Sequence, residues 1–162
     1  MASPTIKPIP VVSRTFFCSD KEHMIKIDAQ VVGSIMNQGQ NNQYIAFNTS
    51  FYLKIEKKDS TVPFVISLDA VMISALASHT LSQIDGFQDS NFEAPCGPGG
   101  THIVRAGILR SGPGISMYIG GIEEYAPLDM TKLRGFAEMI KAIVIASEQR
   151  MAIARAKDEN RR

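Results

Sequence analysis

Residues 44–57 read YIAFNTSFYLKIEK, and their pattern decides the fold. Ile45, Phe47, Phe51, Leu53 and Ile55 share one parity, with Thr49 among them. Tyr44, Asn48, Ser50, Tyr52, Lys54 and Glu56 share the other. Alternation with period two means a strand with one buried face and one face in water. Lys58-Asp59-Ser60 is a polar turn, and Val62, Phe64, Ile66 and Leu68 alternate after it, so the two runs form an antiparallel hairpin. Pro63 has no N–H for a ladder, so its strand is expected at a sheet edge or with that N–H side facing solvent.

The segments on either side extend this unit. From His23 to Val32 the apolar residues Ile25, Ile27, Ala29 and Val31 alternate with Lys26, Asp28 and Gln30, predicting another strand over 23–32. Residues 33–43 (GSIMNQGQNNQ) break the pattern and read as a loop. Residues 1–13 carry three prolines and read as an extended arm, either docked on a neighbour or frayed. After the hairpin, Asp69 is placed to cap a helix over 70–85 that crosses the sheet, with Ile73, Leu76, Ala77, Thr80, Leu81 and Ile84 at helical spacing and Gly86 as its stop.

Residues 86–100 (GFQDSNFEAPCGPGG) have no period and read as a long loop. A second hairpin is expected over 102–110 and 115–121, turning at Ser111-Gly112-Pro113-Gly114. Pro127 and Asp129 then open a long helix over 129–157, and the charged residues 158–162 form a tail. The expected fold is therefore α+β: antiparallel sheet from two hairpin units, each followed by a helix, in one domain over 14–157.

Composition narrows the function classes. In 162 residues, 44% are hydrophobic and 20% charged, which fits a globular chain and not a disordered one. No apolar run is long enough to cross a membrane as a helix, and no signal-peptide pattern opens the chain. Two cysteines, Cys18 and Cys96, do not make a disulfide scaffold; an intracellular location is expected, in the cytoplasm or a host cell's cytoplasm. Seventeen Lys+Arg against sixteen Asp+Glu leave +1, too little for a strongly electrostatic duplex-DNA binder.

The motifs of catalysis are missing. Cys18, His23, Cys96 and His102 lack the paired short spacings of a zinc site, so no metal is expected. Cys96-Gly97-Pro98-Gly99-Gly100-Thr101 has glycines but no lysine and precedes a strand, so it is a turn and not a phosphate loop. No nucleophile elbow occurs, and Glu123-Glu124 reads as a solvated turn. The expectation is a protein that is not an enzyme and uses no cofactor.

The outward strand faces carry a different signal. Tyr44, Tyr52 and Tyr118 lie on polar parities, near Asn48, Lys54 and Ser116, with Lys26 on the polar parity of the first strand. Rings stack on unpaired bases, amides read base edges and ammonium groups meet phosphates. Lys26, Tyr44, Asn48, Tyr52, Lys54 and Tyr118 are therefore the candidate contacts to single-stranded DNA or RNA. On the last helix Leu133, Phe136, Ala137, Ile140, Val144 and Ser147 form one stripe, while Met139, Ile143 and Ala146 extend apolar character around it. That second stripe implies another covering element, and a homo-oligomer interface on Met139, Ile143 and Ala146 is expected. The same helix and the near-neutral charge also suit an alternative: a protein-interaction or assembly subunit, such as a virion, conjugation or inhibitor protein of a mobile element.

The segments YIAFNTSFYLKIEKKDSTVPFVISLD with its following helix, and RAGILRSGPGISMYIG with PLDMTKLRGFAEMIKAIVIA, give a sheet-then-helix layout twice within residues 23–147. In organisation this resembles the Whirly-type single-stranded-nucleic-acid-binding proteins. The resemblance implies two antiparallel sheets, each followed by a helix, with helices packed across subunits. The Lys-Gly-Lys-Ala strand motif of plant Whirly proteins is absent here, so no binding residue carries over.

Overall fold

The computed structural model describes residues 7–39 and 42–161. It is an α+β fold of two four-stranded antiparallel sheets, each followed by a helix. The first sheet runs β1 (Ile9–Phe17), β2 (His23–Asn37), β3 (Gln43–Lys57) and β4 (Phe64–Leu68), in that order, and leads into α1 (Ala70–Ile84). The second runs β5 (Phe92–Cys96), β6 (His102–Leu109), β7 (Gly112–Ile119) and β8 (Ile122–Pro127), and leads into α2 (Met130–Arg161). Among the described residues, no helix is long and apolar enough to cross a membrane.

The alternating residues do what their parity predicts. Ile25, Ile27, Phe51, Leu53 and Ile55 are sealed from solvent, while Lys26, Asp28, Tyr52 and Lys54 on the opposite face stay half-exposed. Both helix caps form: Asp69 accepts the Met72 N–H at 2.7 Å, and Asp129 accepts the Lys132 N–H at 2.8 Å. β4, next to Pro63, is an edge strand.

The helices are exchanged between the sheets. α1, which follows the first sheet, lies mainly on β5 and β6 of the second. α2, which follows the second, lies mainly on β1, β2 and β3 of the first. The two helices also pack against each other. α1 therefore does not simply cross its own sheet, as expected; it closes the core of the other half. Phe136 on α2 meets Phe16 on β1 edge-to-face, with centroids 5.9 Å apart. Further along, Ala154 packs with Val31 and Phe47 at the far end of the long ribbon.

Three strands lie where the sequence reading has none. Residues 9–13 of the expected arm open β1, which runs to Phe17; residues 1–6 of that arm, Pro4 among them, lie outside the described residues. Pro10 is tolerated because β1 is an edge strand, and the register shifts by one residue between Pro10 and Val12. β5 is a five-residue edge strand inside the expected 86–100 loop. β8 takes up Glu123 and Glu124, which are not a solvated turn. β2 also continues to Asn37 through the expected loop, and at Gly33 it passes close to the Phe47 ring, which a Cβ there would approach to 3.1 Å. Residues 158–161, expected as tail, continue α2.

The oligomer argument changes with α2. Ile143 is only 5% exposed and belongs to the chain's own core, and Met139 packs half-buried against that core. Ala146 is exposed. The broad apolar arc arises because α2 has two neighbours in its own chain, the first sheet and α1, so it does not require a second copy. The large apolar residues that α2 leaves in water are Met130, Ile145 and Ile153.

Core truncation tests the parity directly. Phe51→Ala and Leu53→Ala each remove a fully buried side chain and are expected to cost about 2–5 kcal/mol, read as a drop in the urea midpoint. Tyr52→Ala, on the open face, should shift that midpoint much less.

Candidate nucleic-acid face

The ladder between β2 and β3 sets the geometry of the candidate site. Lys26 stands opposite Lys54, Asp28 opposite Tyr52, Gln30 opposite Ser50, Val32 opposite Asn48 and Met36 opposite Tyr44. All share the face that points away from the buried core. Strand rise places Tyr44 and Lys54 roughly 34 Å apart along this ribbon. Lys26, Tyr44, Asn48, Tyr52 and Lys54 are thus brought onto one surface.

Tyr118 is not part of it. It lies on β7 in the second sheet, opposite Ile103 and Glu123. Parity alone marked it as outward but could not say which sheet it joins. Phe17 is the aromatic side chain that the sequence reading missed. It stands opposite Met24 on the same outer face and is 66% exposed. Reading 13, 15 and 17 against 12 and 16 as a strand would have found it.

The charges on this face are matched. Lys26 Nζ lies 3.0 Å from Glu56, and Lys54 Nζ lies 4.0 Å from the same carboxylate. With Asp28 included, two cations face two anions. The second sheet's outer face is similarly paired, with Arg105 between Glu93 at 3.3 Å and Glu123 at 3.8 Å.

One end of the ribbon is fixed to the second sheet. His23 opens β2, and its Nδ1 lies 2.5 Å from Asp20 and its Nε2 2.6 Å from Glu124 on β8. The Ser19 N–H donates to the Pro127 carbonyl at 3.0 Å, and the Ser19 hydroxyl accepts the Asp129 N–H at 2.8 Å. Burial pulls the His23 imidazole down, but hydrogen bonds and charge from Glu124 and Asp20 outweigh it, and its pKa is raised. A protonated ring donates from both nitrogens, as this geometry requires. For Asp20, slight burial pushes upward, and hydrogen bonds from His23 and Glu22 win, so its pKa is lowered. The neighbouring Cys18 thiol is pushed up to about 12 by burial and by Asp20, against Lys132, which keeps it neutral and unreactive.

Among the described residues, no group of three or more His, Cys, Asp or Glu is placed to hold a metal ion. Cys96 and His102 face each other across β5 and β6, apart from the His23 cluster. Comparison with family models, curated proteins and solved structures gives no match.

The clamp makes stability depend on pH with a definite sign. A raised His23 pKa contributes stability in full below its ordinary 6.5 and loses it as pH rises through the raised value. A lowered Asp20 pKa contributes above its ordinary 3.8 and loses it as pH falls through the lowered value. The urea midpoint should therefore fall as pH rises from 6.5 through the raised His23 value. His23→Ala should lower the midpoint at the acidic end and flatten that slope; an unchanged slope would rule out the clamp.

Proposed function

We propose that this chain is a non-enzymatic binder of single-stranded nucleic acid, and that it binds through the outer face of the first sheet. The observation that carries the reading is the gathering of Tyr44, Asn48, Tyr52, Lys26 and Lys54 on one sheet face, all of them half-exposed or exposed. Phe17 adds an aromatic surface at the β1 edge. Rings at intervals along a flat ribbon suit bases that have lost their pairing partners. Two antiparallel sheets, each followed by a helix, are the layout on which the Whirly-type resemblance rests, and that resemblance remains part of the proposal. The paired charges favour stacking over phosphate attraction, because each lysine already has Glu56 beside it.

Fluorescence anisotropy with labelled single-stranded oligonucleotides tests this. Stacking is worth about 1–3 kcal/mol per base, so Tyr52→Ala should weaken binding about tenfold while the fold persists. Lys54→Ala should weaken it less. Failure of the wild type to bind at roughly tens of micromolar in low salt would sink the reading. A stoichiometric protein partner in a pull-down, with no oligonucleotide signal, would select the assembly-subunit alternative.

Glu56→Gln gives the opposite sign. Releasing Lys26 and Lys54 from their shared carboxylate should tighten oligonucleotide binding about two- to fivefold at low salt, and the gain should fade as salt is added.

A further inference from the structure

Beside Tyr52 the outer face is not flat. The bulge between Pro10 and Val12 opens a concavity of ≈ 630 Å³ at the β1–β2 edge, lined in part by Pro10, Ser13, Asp28, Gln30 and Tyr52. Asp28 lies directly across the ladder from Tyr52, and Gln30 is the next residue along β2 on the same face. Nearby polar groups are paired: Lys26 and Lys54 both lie against Glu56. The side chains of Asp28, Gln30 and Tyr52 make no hydrogen bond or ion pair among the described residues. A carboxylate, an amide and a phenol therefore converge on one concavity with their hydrogen-bonding capacity unused.

We propose that this concavity is a base-recognition pocket that selects guanine within a single strand; the inference rests on the single-strand reading above and names its preference. A carboxylate is an acceptor only, and it is best satisfied by two parallel N–H donors. Guanine carries two such donors side by side on its Watson–Crick edge, N1–H and the 2-amino group. The other bases offer no such adjacent pair. Asp28 accepts that fork, the Gln30 amide donates to the guanine O6, and the Tyr52 ring supplies the stacking surface. An arginine side chain from a protein could present a similar fork. Lys26 and Lys54, one outward position further along each strand, are each held against Glu56, so recognition here rests on the Tyr52 ring and the Asp28 carboxylate, and an arginine-bearing peptide is a competitor that the strand comparison below separates.

Three labelled single strands of equal length decide it: all thymine, thymine with isolated guanines, and the same strand with hypoxanthine in place of guanine. Hypoxanthine keeps N1–H and O6 but lacks the 2-amino donor. The full-length wild type should bind the guanine strand about tenfold tighter than the thymine strand, the discrimination a bidentate pair supplies. The hypoxanthine strand should fall between them. Asp28→Asn should remove the difference between the strands. Equal wild-type affinity for guanine and thymine strands overturns the pocket while leaving the single-strand reading intact. A guanine preference that survives in a folded Asp28→Asn variant also overturns it. If the wild type binds none of the three, the single-strand reading fails and the pocket fails with it. The wild-type comparison needs no variant, so a misfolded Asp28→Asn protein does not decide the outcome.

Discussion

The exchange of helices between the two sheets is the constraint on which the other features depend. A sheet with one apolar face must cover it, and here each half covers the other's. α2 spans roughly 48 Å at helical rise, and the fifteen-residue β2 and β3 span roughly 50 Å. The helix can therefore back the ribbon along nearly its whole length, from Phe16 and Phe136 to Val31, Phe47 and Ala154. With its inner face sealed, the ribbon can carry tyrosine, asparagine and lysine outward without losing its register, because a slip by one residue would put Phe51 and Leu53 in water.

Charge on that outer face is arranged for contact at short range. Glu56 lies beside both lysines, so a ligand gains little from the distant field of this surface. Long-range attraction would bring in polyanions of every kind, double-stranded ones included. A neutral, ring-bearing face rewards partners that can expose flat apolar surfaces, and it leaves hydrogen-bond geometry to distinguish among them.

The parts of this fold that could be read from the chain are those where side chains alone specify the backbone. β3 has an unbroken alternation and two aromatic residues pointing inward, so its parity, and with it the common face of Tyr52 and Lys54, follow from the residues. Asp69 and Asp129 mark their helices because capping is local. β1, β5 and β8 were illegible for the opposite reason. Each is held by ladder bonds to a stronger neighbour, and Pro10, Pro95 and the Glu123-Glu124 pair argue locally against a strand. Glu124 looks solvated until β8 brings it to His23, a residue 101 positions away. The candidate face was legible as a parity but not as a place: Tyr118 has the same outward pattern as Tyr52 and belongs to another sheet. Ile143 resembled an interface residue because periodicity gives the width of an apolar arc without saying what covers it.

One buried side chain shows how far the two halves depend on each other. Gln83 reaches from α1 to β6, where its Oε1 accepts the Ile108 N–H at 2.7 Å and its Nε2 donates to the Ile108 carbonyl at 3.4 Å. It occupies the space beside Gly107, whose φ of +121° and close approach to that amide exclude a larger residue. A side-chain amide thus serves one strand position as a piece of borrowed backbone. Although the chain repeats one order of strands and helix, it is no tandem of autonomous modules: cut between α1 and β5, the second sheet would lose both its cover and part of its own hydrogen bonding. Each half thus completes the other within one chain, and neither carries all of the groups that its own sheet needs.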